Sequence, residues 1–274
     1  MSLRLTVMLT CCVPFAFSAV AEEVKPIKVL MVIGGGYHDY AKQKDILKKG
    51  IEERANATVE IVYTSEYIDK KITKPKFPIY GNPDYAKGYD VVIHDECASD
   101  INDLKTIDDV LKPHRVDGIP AVNLHCAMHC YRFGDYGKPL PDGAPNAHWY
   151  EYLGLHSTRH DIQAPIEITY KDKEHPITKG LEDWKTVNEE HYNNVKVYPT
   201  AHVLAEGKQN VKGKDYVAVN VWTNEYGDKK TRIFSTTIGH QNETVADARY
   251  LDLVTRGMLW ACDKLNDKYL KPKK

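Results

Sequence analysis

The chain reads as an α/β protein with a doubly wound, mainly parallel sheet, and three observations carry that reading. Residues 27–33 (IKVLMVI) are nearly continuously apolar and largely β-branched, which suits a strand covered by helices on both faces. Gly34-Gly35-Gly36 then allows a tight turn, and residues 40–54 follow with Leu47 and Ile51 at helical spacing. Strand-like and helix-like segments go on alternating, as they do when helices cross between parallel strands.

The next strands are expected at residues 59–63 and 91–94, and Ile101, Leu104, Ile107 and Leu111 mark one face of a helix over residues 101–111. Residues 73–88, with their prolines and glycines and Tyr80 and Tyr85, describe an irregular excursion suited to cover one side of a cleft; residues 133–145 form a second loop. Between them Gly118-Ile-Pro-Ala-Val-Asn-Leu-His-Cys126 reads as a buried strand that stops abruptly in a histidine and a thiol. A short helix over residues 147–153 precedes strands at 166–170, 202–205, 216–222 and 232–237. The last three are close together, and short connections such as Asn224-Glu-Tyr-Gly-Asp228 predict antiparallel pairing at one edge of the sheet. Residues 251–264 close the chain as an amphipathic helix, and neither a repeat nor a linker divides it.

The amino terminus has the form of a cleavable export signal: Arg4, a short apolar run over residues 5–20, and the small-x-small pattern Ala19-Val20-Ala21. Residues 1–21 are therefore set apart, leaving one domain over residues 22–274 in the periplasm or outside the cell, with no stable membrane span after cleavage. Of six cysteines, Cys97, Cys126, Cys130 and Cys262 remain, expected mostly as buried thiols with room for one bridge. A formal charge of −1 supplies no general attraction to phosphate, so nucleic acid is not an expected partner. The oligomeric state is not readable from the residues.

Chemistry concentrates at strand exits, where open α/β sheets hold their ligands. His38 lies just beyond the first strand in an opening lined by glycine, and His125-Cys126 ends the strand after Gly118. His240 follows the last strand in Thr236-Thr-Ile-Gly-His240. In Asn188-Glu-Glu-His-Tyr192 an extended backbone would point Glu190 and Tyr192 the same way, pairing an acid with a phenol. A helix starting at His125 would also align His125 with His129, a spacing used by metal ligands. No cofactor is firmly implied; a divalent metal, if present, would be held by His125 and His129 or by His38 and His240. The glycines match neither the phosphate-loop nor the dinucleotide pattern.

Taken together, Gly34-Gly-Gly-Tyr-His38, Leu124-His-Cys-Ala127, the stretch from Trp149 to His160, His175-Pro-Ile-Thr-Lys-Gly-Leu181, Glu190-x-Tyr192 and Trp222-Thr-Asn-Glu-Tyr-Gly227 leading to Gly239-His240 resemble the trehalose-utilisation (ThuA-like) family. The resemblance covers nearly all of the chain beyond the leader. It implies a flavodoxin-like sheet of the class I glutamine amidotransferase type and a role in sugar metabolism, on disaccharides or their keto derivatives. Laid against an amidotransferase elbow, Gly118 to His125 puts His125 where the nucleophilic cysteine belongs and Cys126 one residue late, so glutamine hydrolysis is disfavoured.

Two functions follow. One is a carbohydrate-active hydrolase, isomerase or lyase in which His38, His125, Glu190 and His240 move protons, with a metal as an alternative use of the same imidazoles, while Tyr37, Cys126, His160 and Tyr192 bind a small sugar substrate. The other is a non-catalytic carbohydrate-binding or scaffold domain, whose tyrosines at 37, 40, 80, 85, 131 and 136 would face sugar rings. Convergence of the histidines separates the two.

Overall fold

The structure, a computed structural model, describes residues 24–64 and 72–272; the leader at 1–21 lies outside the described residues. In chain order the elements are β1 (Ile27–Gly35), α1 (Tyr40–Arg54), β2 (Ala57–Thr64), β3 (Val91–Cys97), α2 (Leu104–Lys112), β4 (Ala121–Leu124), α3 (His148–Leu153) and β5 (Leu155–His156). They continue with β6 (Ala164–Tyr170), β7 (Trp184–Glu189), β8 (Lys196–Val197), β9 (Ala201–Val211), β10 (Lys214–Tyr226), β11 (Thr231–Thr236), α4 (Asn242–Val245) and α5 (Ala248–Ala261). Nine strands make one sheet in the order β2-β1-β3-β4-β11-β10-β9-β6-β7, and β5 pairs with β8 apart from it.

The unbroken apolar character of β1 comes from being covered twice. Val29, Met31 and Ile33 face the layer of α1 and α5, among Leu47, Ile51, Val254 and Met258, whereas Leu30 and Val32 face the layer of α2 and α3, among Ile107, Leu111 and Trp149. Period-two alternation thus splits one apolar run between two cores. Helix boundaries follow their caps: the Asp103 carboxylate accepts the Thr106 N–H at 2.8 Å and starts α2 three residues later than the apolar spacing predicts. Asp247 does the same for Arg249 N–H, so α5 starts and ends about three residues earlier than predicted.

Strands β1 to β4 are parallel as expected, but β11, expected with β9 and β10 in an antiparallel edge, joins the parallel set against β4, and the antiparallel half is larger than expected. Strands β10 and β9 are antiparallel neighbours of β11, but β11 lies in the sheet interior beside β4, and β6 and β7 form the far side. The edge strand β7 escaped the sequence reading because its alternation (WKTVNE) carries few apolar residues. The excursion over 73–88 does not frame a cleft: Phe77, Ile79 and Tyr85 are buried, and the Tyr85 hydroxyl donates to the Val110 carbonyl at 3.1 Å. Tyr40 and Tyr131 are buried as well, which leaves Tyr37 as the exposed member of the six tyrosines. No helix among the described residues is long and apolar enough to cross a membrane.

Candidate functional site

Alternation of direction across the sheet brings the exits of β1, β3, β4, β11 and β7 to one rim. Gly35 (φ 101°) turns the chain out of β1, and a side chain there would strike the Cys97 carbonyl, so β1 delivers His38 close against β3. Strand β4 ends in His125, held at φ 39°, a left-handed conformation uncommon for a residue with a side chain and recurrent at functional turns. Beyond β11, Gly239 (φ 132°) lets the chain pass the Tyr250 hydroxyl and places His240.

The three imidazoles meet. The ring of His38 lies 4.7 Å from that of His125 and 4.7 Å from that of His240, and His125 and His240 are 5.5 Å apart between centroids. Glu190, just past β7, sits among them: Oε2 is 3.5 Å from His125 Nε2, while Oε1 is 3.2 Å from His240 Nδ1 and 3.4 Å from His160 Nε2. His125 Nδ1 donates to the Thr237 carbonyl at 2.7 Å, so a neutral ring keeps its lone pair on Nε2, which faces Glu190 and the Tyr192 hydroxyl at 3.3 Å. Glu190 and Tyr192 therefore share a side, as their spacing predicts, and the intervening His191 turns toward Asn220.

The electrostatics divide the histidines. Burial holds His38 well below the ordinary imidazole range, and the nearby His125 and His240 push it further down. Burial would also lower His125, but the Glu190 carboxylate outweighs it and raises the ring above its ordinary value. Desolvation opposes ionisation of Glu190, yet the contacts with His125 and His240 keep it well below the usual carboxylate range. The result is a neutral imidazole beside an imidazolium–carboxylate pair, in a cluster that reaches solvent through His240 and the partly exposed His160. Such a set places a proton acceptor beside a proton donor.

Two expectations change. His125 to His129 is a 3-10 turn, not an α-helix, so four residues do not return to the same face. His129 instead stacks on Tyr192 at 3.9 Å and contacts the Ser157 hydroxyl at 2.9 Å, which removes the His125–His129 pair as metal ligands. Cys126 is bonded to Cys97 across a Cα separation of 5.2 Å and offers no thiol to a substrate; Cys130 and Cys262 are free. Tyr37, next to His38, is about half exposed.

Sequence reasoning passed over the residues that hold the cluster. The fully buried Glu189 carboxylate accepts the backbone N–H groups of His240 and Gln241, each at 2.9 Å. Gln43, buried on α1, donates to the His240 carbonyl at 2.9 Å, and Gln163 reaches His240 Nε2 at 2.9 Å. Asp95 ends β3 buried, and desolvation pushes its carboxyl well above the usual range. A polar run, His94-Asp95-Glu96, closing an apolar strand was the readable signal for the last of these.

A five-stranded parallel half-sheet covered by helices on both faces, with the cluster at its strand exits, defines a doubly wound, mainly parallel α/β protein. Within that class the chain belongs to the family described as trehalose utilisation (ThuA), whose model matches residues 28–261. Among solved structures it is similar to a ThuA-like protein from Parabacteroides merdae ATCC 43184, at 19% identity over 87% of this chain and 90% of that one, with a TM-score of 0.61. A glutamine amidotransferase from Thermotoga maritima matches 86% of this chain and 96% of its own at 11% identity and a TM-score of 0.39. No curated protein sequence matches the chain.

Proposed function

We propose that the chain is an exported sugar-processing enzyme in which the His38, His125, Glu190 and His240 cluster performs proton transfer on a disaccharide or keto-sugar, by hydrolysis, isomerisation or elimination. The observation that carries the reading is the convergence of three imidazoles from three separate strand exits, two of them in contact with one carboxylate. Its sugar specificity rests on the family's description, and its export to the periplasm or beyond rests on the leader at residues 1–21.

In this reading the His125–Glu190 pair is the acid: Nε2 of the imidazolium can protonate a departing oxygen, and Glu190 stabilises the charged ring beforehand. Neutral His38 is the base, suited to remove a proton from a carbon or hydroxyl made acidic by an adjacent carbonyl. His160, Tyr192 and Tyr37 would contact the sugar. A positioned acid or base of this kind contributes about 10²- to 10⁴-fold. Glutaminase activity is not expected, because the elbow holds an imidazole and the adjacent sulfur is bonded to Cys97.

The test is incubation of the purified mature chain with trehalose, its keto derivatives and other glycosides, following released sugar. Turnover should fall by about 10²-fold or more in Glu190→Gln and His125→Ala. Turnover unchanged in both variants would move the chemistry away from this cluster, and its absence from the wild-type chain across the panel while the sugars still bind would leave a binding domain.

A further inference from the structure

Histidines whose rings meet can share more than a proton. His38, His125 and His240 each place one ring nitrogen within 4.8 Å of the other two. Ligands of one transition-metal ion, each about 2.0–2.1 Å from it, lie no more than about 4.2 Å apart. Three nitrogens on one such ion lie about 3.4–3.6 Å from one another, so closing on it takes ring rotations that move each nitrogen by up to about 1 Å. The donors are also suitably oriented: Nδ1 of His125 is committed to the Thr237 carbonyl, the second-shell bond that fixes a ligating imidazole's tautomer and leaves Nε2 for an ion that displaces its proton. His38 Nδ1 is buried with no hydrogen-bond partner, a costly state for a polar atom unless something else completes the ring's surroundings. Glu190 adds a carboxylate whose oxygens already lie 3.2 and 3.5 Å from His240 and His125, the spacing of neighbouring ligands on one ion.

We propose that His38, His125 and His240 bind one divalent first-row transition-metal ion, with Glu190 as the adjoining oxygen donor. Imidazole with carboxylate suits Zn²⁺, Fe²⁺ or Mn²⁺ and leaves coordination positions open on the solvent side, toward His160. The proposal rests on the same cluster as the acid–base reading and deepens it: a metal there would hold two neighbouring oxygens of a sugar and polarise its carbonyl, taking the place of the His125 proton as the electrophile and occupying the His38 lone pair, so that a metal-bound hydroxide would replace His38 as the base. A second donor set shares His38, namely the sulfurs of Cys97 and Cys126, but these are tied to each other as a disulfide. The ion accordingly belongs to the three histidines.

The experiment uses the mature chain stripped with a chelator, then titrated with Zn²⁺ by equilibrium dialysis and with Co²⁺ by visible absorption. One ion per chain is expected, with cobalt d–d bands and no sulfur-to-cobalt charge transfer. Affinity should fall at least about hundredfold in His38→Ala and in His240→Ala. His240 lies on the wetter side of the cluster, so its variant keeps the test open if His38→Ala does not fold, and Cys97→Ser/Cys126→Ser should still bind cobalt with the same spectrum. Failure of the wild-type chain to bind an ion stoichiometrically, binding undiminished in the histidine variants, or a thiolate spectrum in the wild type would each overturn the proposal. Turnover separates the two readings: a chain that binds no Zn²⁺ yet processes sugar removes the metal and leaves the proton-transfer centre, whereas stoichiometric Zn²⁺ without turnover does the reverse.

Discussion

Glu189 is the residue whose removal should most clearly show how the site is held. Its carboxylate is fully buried and accepts two backbone N–H groups, from His240 and Gln241, at 2.9 Å each. These bonds tie the end of the edge strand β7 to the turn after β11, which are far apart in the sheet order. In Glu189→Gln one oxygen remains to accept, while the new NH₂ group faces an N–H donor that it cannot satisfy. A hydrogen bond to a charged group contributes about 1.5–3 kcal/mol, and a buried donor left unsatisfied costs about 1–3 kcal/mol. Because the two figures overlap for the same lost bond, the expected destabilisation is about 3 kcal/mol. For a chain of this size that corresponds to a fall in Tm of about 6–12 °C by calorimetry. Sugar turnover should fall with it, since His240 loses its backbone support. A Glu189→Gln protein that unfolds within 1 °C of the wild type would refute the view that this carboxylate holds the His240 turn.

Other consequences are equally measurable. Closing 29 residues with the Cys97–Cys126 bond stabilises the fold by about 3–4 kcal/mol in the chain-entropy view, so a reductant should lower the urea midpoint measurably, and a non-reducing peptide map should recover the linked pair. Burial holds His114 down to about 3 and His156 and His191 down to about 4. In the unfolded chain they ionise near 6.5, so their contribution is complete above about pH 6.5 and is lost as pH falls toward 4. His114 alone should cost about 3 kcal/mol at pH 4.5, and a urea stability that stays flat from pH 8 to 4.5 would contradict this. Gly239→Ala would strain a backbone at φ 132° and press a methyl group to 2.7 Å from the Tyr250 hydroxyl. A loss of more than about 1 kcal/mol is expected by denaturant titration.

How much was legible depended on whether the determinant was local. The apolar run of β1, the helix periodicity of α1 and the Gly-His exits were readable because burial on both faces and turn geometry act within a few residues. Helix starts were misjudged by three residues where a side-chain cap, not the apolar spacing, decides the boundary. The His125–His129 pair looked like a ligand set only under the assumption of an α-helix; the left-handed backbone at His125 starts a 3-10 turn and sends His129 to Ser157 and Tyr192.

The amino-acid order by itself determined the α/β class, the parallel strands β1 to β4, and which strand exits carry histidine. It could do so because strand alternation, helix period and glycine turns are short-range properties of the chain. Only the tertiary structure decided that β11 inserts beside β4, that β7 runs the right way to bring Glu189 and Glu190 to the rim, and that Cys126 closes on Cys97. Those outcomes are set by pairing between segments as much as 112 residues apart, where the surrounding core selects one arrangement out of many that the local pattern allows.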